Sequence, residues 1–235
     1  MTENAHPGAL ITGASRGLGF ALAQALSQAG WSLIIDGRDS IALENARRQL
    51  QHASAITAIA GDVTDAAHRQ ALLEAAAALG GLDLLVNNAS QLGPSPQPAL
   101  LDYPLEVLES VYRTNVFAPL AIVQALRRQL KPGATIINIT SDAAVEAYDG
   151  WGGYGSSKAA LEQLSAILAV ENPQWRVFWV DPGDMNTAMH QEAYPGEDIS
   201  DRPLPGASVP GLLALLQGTM PSGRYQARVL VPEAS

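Results

Sequence analysis

The sequence predicts an α/β domain in which a doubly wound parallel sheet carries helices on both faces, and three observations support that expectation. Short apolar runs alternate with longer Ala- and Leu-rich segments of helical period. A turn with three glycines, Thr12-Gly13-Ala14-Ser15-Arg16-Gly17-Leu18-Gly19, leaves the first of those runs and opens the first helical segment. The 235 residues, 47% hydrophobic and 16% charged, suffice for one large domain, read as residues 1–235 without a seam.

The predicted strands are residues 9–12, 33–35, 56–60, 82–86, 135–140 and 177–180, with a last one over 226–231. Gly30, after Leu18, Leu22 and Leu26, reads as the stop of the first helix, and Gly80 as the stop of a later one that Thr64 or Asp65 would cap. Two segments break the rhythm: a Pro-rich stretch within residues 91–98, and residues 181–210, rich in Pro, Gly and acids. Both are read as loops, with substrate contacts expected near 91–98 and 184–210. Surface insertion is the competing reading for both.

Composition narrows the function classes. A net charge of −9 and a pI near 4.8 oppose a polyphosphate backbone, so nucleic acid is not an expected partner. No apolar run has the length to span a bilayer. The first residues lack a basic segment followed by an apolar one, so export is not expected. Zero cysteines remove disulfides, thiol catalysis and thiolate metal sites, and fit a cytoplasmic location. The histidines His6, His52, His68 and His190 show no metal-ligand spacing and are expected at the surface.

The glycine turn, placed between a strand and a helix, lets the backbone approach a pyrophosphate while the helix N-terminus presents free N–H groups. Which dinucleotide binds depends on the end of the second strand, Ile35-Asp36-Gly37-Arg38-Asp39, where both signs of charge occur. Tyr154 and Lys158 stand four positions apart and would share one helix face. Lys158 supplies the positive charge that favours a phenolate, so the pair could move a proton near neutral pH. Ser141, just beyond an apolar run, would face the crevice at the C-terminal ends of the strands.

Together these residues resemble the short-chain dehydrogenase/reductase family in its single-domain branch, a Rossmann-type fold. The likeness runs in order through the glycine turn, Asp62-Val63, Asn87-Asn88-Ala89, Asn115, Ser141, Tyr154-x-x-x-Lys158, and Pro182-Gly183 with Thr187. It implies an NAD(P)(H)-dependent oxidoreductase interconverting a carbonyl and an alcohol on a small-molecule substrate. Tyr154 would be the acid/base, Ser141 would orient the substrate oxygen, Lys158 would hold the nicotinamide ribose, and Asn115 would position a water. Gly13, Ser15, Arg16, Leu18 and Gly19 would meet the cofactor phosphates. Asp62 and Val63 would meet the adenine, and Asn88 and Ala89 the adenosine side. Pro182, Gly183, Met185 and Thr187 would meet the nicotinamide end. Ser90 stands where the family usually has Gly.

The family's NAD-selecting acid falls on Gly37, so Asp36 is one residue early and should face away from the ribose. Arg38 and Arg16 would then flank a 2′-phosphate, and NADP(H) is expected over NAD(H). The preference reverses if Asp36 or Asp39 accepts the ribose hydroxyls. Leu92, Tyr148, Trp151, Met189 and Tyr194 are candidates either for a substrate pocket or for loop packing. The resemblance also implies a homodimer or homotetramer joined through the Tyr154–Lys158 helix. A dinucleotide-sensing regulator without turnover is the alternative, and nucleotide-sugar epimerase or dehydratase chemistry would need a larger C-terminal substrate domain.

Overall fold

Strand β1 (Gly8–Ile11) is buried along its whole length, Ala9 and Ile11 packing to one face of the sheet and Leu10 to the other. A strand apolar on both faces belongs at the centre of a helix-covered parallel sheet. In the computed structural model, which describes residues 6–230, it has that place. It pairs in parallel with β2 (Ser32–Gly37) on one side and β4 (Leu82–Asn87) on the other. With β3 (Ala55–Ala60), β5 (Leu130–Ile139), β6 (Arg176–Asp181) and β7 (Gly223–Gln226), the seven strands run in the order β3-β2-β1-β4-β5-β6-β7, all neighbours parallel. The predicted single doubly wound α/β domain is what the chain forms.

Helices α1 (Gly17–Gln28) and α2 (Ser40–Gln49) cover one face with α8 (Val209–Gln217), burying Leu22, Leu26, Leu43, Leu212 and Leu215. Helices α3 (Ala66–Ala78), α4 (Leu105–Tyr112), α5 (Ala118–Leu126) and α6 (Gly152–Glu171) complete the other layer, with Leu72, Ile122, Val123 and Leu126 in its core. Gly30 and Gly80 follow α1 and α3 at φ +76° and +81°, the left-handed conformation that made them legible as stops. Asp65, not Thr64, caps α3, accepting from the Ala67 N–H.

Two expectations are corrected. The last strand is Gly223–Gln226, and Ala227–Val229 is a 3₁₀ turn; Val231 lies outside the described residues. The cause is close packing: Ala227 is fully buried, its carbonyl so near Gly211 of α8 that an added Cβ would meet it. Residues 181–210 are also not all loop. They contain the short helix α7 (Ala188–Ala193) and end in a 3₁₀ turn at Pro205–Ser208 leading into α8. Among the described residues no helix is long and apolar enough to cross a membrane.

Candidate active site

At the C-terminal ends of the strands lies a groove of about 430 Å³ that runs from the glycine turn to Tyr154 and Lys158. It opens there because the strand order reverses between β1 and β4, leaving a crevice no crossover helix fills. Gly13 and Gly17 hold φ of +64° and +61°, which the turn requires. Arg16 begins α1 without a side-chain cap, so the first N–H groups of a 12-residue helix have no side-chain partner at the groove. That donor set suits a diphosphate.

Ser15, Arg16, Leu18, Arg38, Asp62, Val63, Asn88, Ala89, Ser90, Pro182, Met185 and Thr187 all line the groove. Gly19 does not: it packs where an added Cβ would lie 2.5 Å from the Asn88 amide, letting helix and strand ends meet. Asn88 is tied down by bonds to the Thr12 and Gly13 carbonyls, and Thr12 Oγ1 accepts from both the Asn88 and Ala89 N–H groups. Asp62 Oδ1 accepts from the Thr64 N–H and hydroxyl. Burial alone would raise that carboxyl, but the Thr64 bonds, helped by Arg38 and His68, carry it below its ordinary value.

Asp36 turns beneath the glycine turn. Its Oδ1 accepts the Gly13 N–H at 2.6 Å and its Oδ2 sits 3.0 Å from His68 Nε2. Burial pushes this carboxyl up against the lowering pull of His68 and the Gly13 N–H. Asp39 caps α2, accepting from Ile41 and Ala42. Both acids at this strand end are therefore engaged by protein donors, while Arg16 and Arg38 stand exposed at the groove rim. His68 is not at the surface as expected: both its side chain and Asp36 are buried, because the carboxylate under the turn needs an inward partner. A lone histidine on an otherwise Ala-rich helix gave no sequence signal for that pairing.

Tyr154 and Lys158 are both buried in the first two turns of α6, with the ammonium 5.4 Å from the phenol ring centroid. The expected electrostatics differ in detail. Lys158 Nζ donates to the Ile139 carbonyl at 2.8 Å, and burial pulls it from its ordinary 10.5 down to about 7. Burial pushes the Tyr154 phenol well above its usual value; the Ser90 hydroxyl offsets part of this, and Asp142 and Asp181 add to it. In the protein alone desolvation dominates, and the expected lowering of the phenol by Lys158 is not found.

Tyr154 also lines a second, smaller cavity of about 90 Å³, shared with Ser141, Asp142, Leu92, Trp151, Gly183, Met189 and His190. Ser141 sits there because it follows β5, and its hydroxyl donates to Asp142 Oδ1 at 2.7 Å. Tyr148 and Tyr194 pack on Trp151 rather than lining the cavity. His190, expected at the surface, has a side chain only 10% exposed. Thr187 caps α7, its hydroxyl accepting from the His190 N–H.

Asn115 is placed differently from the expectation. It is buried in a π-helical turn, Arg113–Phe117, outside the groove lining, where its neighbour Thr114 is found instead. Its amide donates to the Gln91 carbonyl and Ser157 hydroxyl and accepts from Ser90 and the Gln91 N–H, so it ties the loop after β4 to α6. Those bonds occupy both donors and both lone pairs of the side-chain amide.

Arg224 of β7 was not singled out from the sequence. It reaches Glu162 Oε1 at 3.0 Å and the Ser141 carbonyl at 3.2 Å, bracing the end of β5 from β7. An arginine in a short edge strand carries no motif.

A family model for short chain dehydrogenases matches residues 8–198. The 3-oxoacyl-[acyl-carrier-protein] reductase of rhamnolipid biosynthesis from Pseudomonas aeruginosa is 38% identical over 69% of this chain, which spans 66% of that relative's length. Sepiapterin reductase of Mus musculus is 33% identical over 78% of this chain and 76% of its own. A short chain dehydrogenase from Salmonella enterica superposes with a TM-score of 0.87 at 25% identity, covering 97% of this chain and 99% of its own. A protein from Escherichia coli CFT073 in complex with NADPH superposes with a TM-score of 0.87 at 26% identity, covering 94% of this chain and 96% of its own.

Proposed function

The chain belongs to the short-chain dehydrogenase/reductase family, and from that premise we propose that it is an NADP(H)-preferring reductase of small carbonyl compounds. The observation that carries the reading is Tyr154, which lines both the dinucleotide-sized groove and the small cavity that holds Ser141. A proton donor at that junction meets cofactor and substrate together.

Bound nicotinamide dinucleotide supplies the hydride in reduction and accepts it in oxidation. The residues of the chain do the rest. Tyr154 donates its phenolic proton to the alkoxide as it develops, and Ser141, once its hydroxyl turns from Asp142 Oδ1, orients the carbonyl oxygen. Burial raises the phenol, so Tyr154 is protonated at neutral pH, the state in which it can act as an acid. Lys158 holds the nicotinamide ribose. The N-terminus of α1, with Gly13, Ser15 and Leu18 at its approach, takes the phosphates.

Asp62 and Val63 would hold the adenine, Asn88 and Ala89 the adenosine side, and Pro182, Met185 and Thr187 the nicotinamide end, all of them lining the groove. Gly183, in the small cavity, lets the chain turn there at φ +72°. The preference for NADP(H) rests on Arg16 and Arg38 at the groove rim and on Asp36 and Asp39 having other partners. A solved relative in complex with NADPH supports the same choice.

A homo-oligomer is part of the proposal, supported by Leu105, Phe117, Ile167 and Val170, apolar side chains exposed on α4, the π turn and α6. The test is dinucleotide oxidation against a carbonyl panel, run with NADPH and with NADH. Reduction of at least one carbonyl, with the lower KM for NADPH, is expected. Tight dinucleotide binding without turnover on any carbonyl would instead support the sensing role.

A further inference from the structure

The small cavity beside Ser141 and Tyr154 is acidic on one side and aromatic on the other. Asp142, Asp181 and Asp184 contribute to its lining, and no lysine or arginine does. Two of these acids are neutralised nearby: Asp181 faces Arg224 at 3.8 Å and Asp184 faces Arg202 at 3.8 Å. Asp142 is not. Its Oδ1 accepts from the Ser141 hydroxyl and the Ala143 N–H, and its Oδ2 from the Tyr148 hydroxyl, all neutral donors.

That last donor is shared. Tyr148 Oη lies 3.0 Å from Asp142 Oδ2 and 2.8 Å from Glu146 Oε2, but a phenol has one proton to donate. Asp142 Oδ2 therefore shares that proton with Glu146 at the exposed edge beyond the cavity lining, and no cationic side chain neutralises Asp142 among the described residues.

Trp151 lines the same cavity, edge-on to Tyr154 at 5.8 Å between centroids, and adds aromatic surface to it. His190 gives an independent sign of a ligand. Its side chain is nine-tenths buried, it lines the cavity, and Nε2 has no partner among the described residues. Its Nδ1 lies 4.0 Å from Asp184 Oδ1, beyond hydrogen-bond range, and its Nε2 is open to a polar group of a ligand.

We propose that the cavity selects carbonyl compounds bearing a protonated amine close to the carbonyl carbon, with Asp142 and His190 Nε2 receiving the ammonium while the carbonyl oxygen lies between Ser141 and Tyr154. The inference rests on the oxidoreductase reading above and adds a substrate class to it. The volume of about 90 Å³ restricts the choice to small molecules.

Aminoacetone, butanone and pyruvate present cationic, neutral and anionic versions of one small ketone. With NADPH, kcat/KM is expected to fall in that order, aminoacetone exceeding butanone by about tenfold, the effect of one charge-assisted contact. Asp142→Asn should bring that ratio to within about threefold of unity. The ratio within each protein cancels any change the substitution makes in the setting of Ser141. Calorimetric titration of the protein alone should show heat for aminoacetone that butanone does not give and that Asp142→Asn removes.

Equal kcat/KM for aminoacetone and butanone overturns the inference, as does a ratio that survives Asp142→Asn, with the oxidoreductase reading intact. Turnover of none of the three ketones alongside brisk turnover of bulky neutral ketones overturns it too. If no carbonyl of any kind is reduced, the oxidoreductase reading fails, and the calorimetric comparison alone decides whether the cavity prefers the cation.

Discussion

Replacing Lys158 with Met removes a cation that the fold buries almost completely, and the structure gives the size and pH dependence of the effect. Lys158 is 2% exposed, and burial lowers it from 10.5 to about 7 in the protein without cofactor. A lysine with a depressed folded value is carried at a cost that is full below about pH 7 and relieved as pH rises toward 10.5. In that window the unfolded chain binds more protons, so stability rises with pH. The drop spans about 3.5 powers of ten in proton affinity, or about 5 kcal/mol at about 1.36 kcal/mol each.

Between pH 6 and pH 9 about 2–3 kcal/mol of that is recovered. Urea unfolding of wild type and Lys158→Met at both pH values isolates this contribution, since other titrating groups cancel in the difference. Wild type should gain about 2–3 kcal/mol relative to Lys158→Met on going from pH 6 to pH 9, or roughly 4–12 °C in Tm. A difference that stays flat or falls with pH would refute the claim that this lysine is buried at the expense of its charge.

Other consequences are open to direct measurement. Gly211→Ala should lower stability by about 3 kcal/mol or more, read as a fall in Tm, because the new methyl would collide with the Ala227 backbone carbonyl. Thr12→Val strands the Asn88 and Ala89 N–H groups and should cost about 2–4 kcal/mol in denaturant melts, with weaker dinucleotide binding by fluorescence titration. Arg38→Ala should raise the KM for NADPH by about tenfold while leaving that for NADH within about threefold, the loss of one guanidinium–phosphate contact.

Much of the fold was legible because its signals are local. The strand runs carried their two-faced burial in composition, and Gly30 and Gly80 marked helix ends by a backbone conformation that favours glycine. The spacing of Tyr154 and Lys158 placed both in the opening turns of α6, and Ser141 followed from the end of β5. The one-residue offset on an alternating strand pointed to an Asp36 engaged elsewhere; its carboxylate meets Gly13 and His68, although the residue still borders the groove.

What escaped the sequence depends on partners distant along the chain. His68 meets Asp36 only because α3 crosses beneath the glycine turn, and Arg224 meets Glu162 only through the return of β7. Asn115 was found as a residue but not in its setting, since the π turn directs its amide into the scaffold. The last strand was displaced because the Ala227 turn is set by contact with Gly211, a fit between segments that periodicity does not report.

Single-turnover reduction by Tyr154→Phe, with NADPH affinity measured in parallel, bears most directly on the assignment of this phenol as the proton donor. Loss of about 10²–10⁴-fold in rate with affinity nearly unchanged is the expected result. Turnover at the wild-type rate would contradict it.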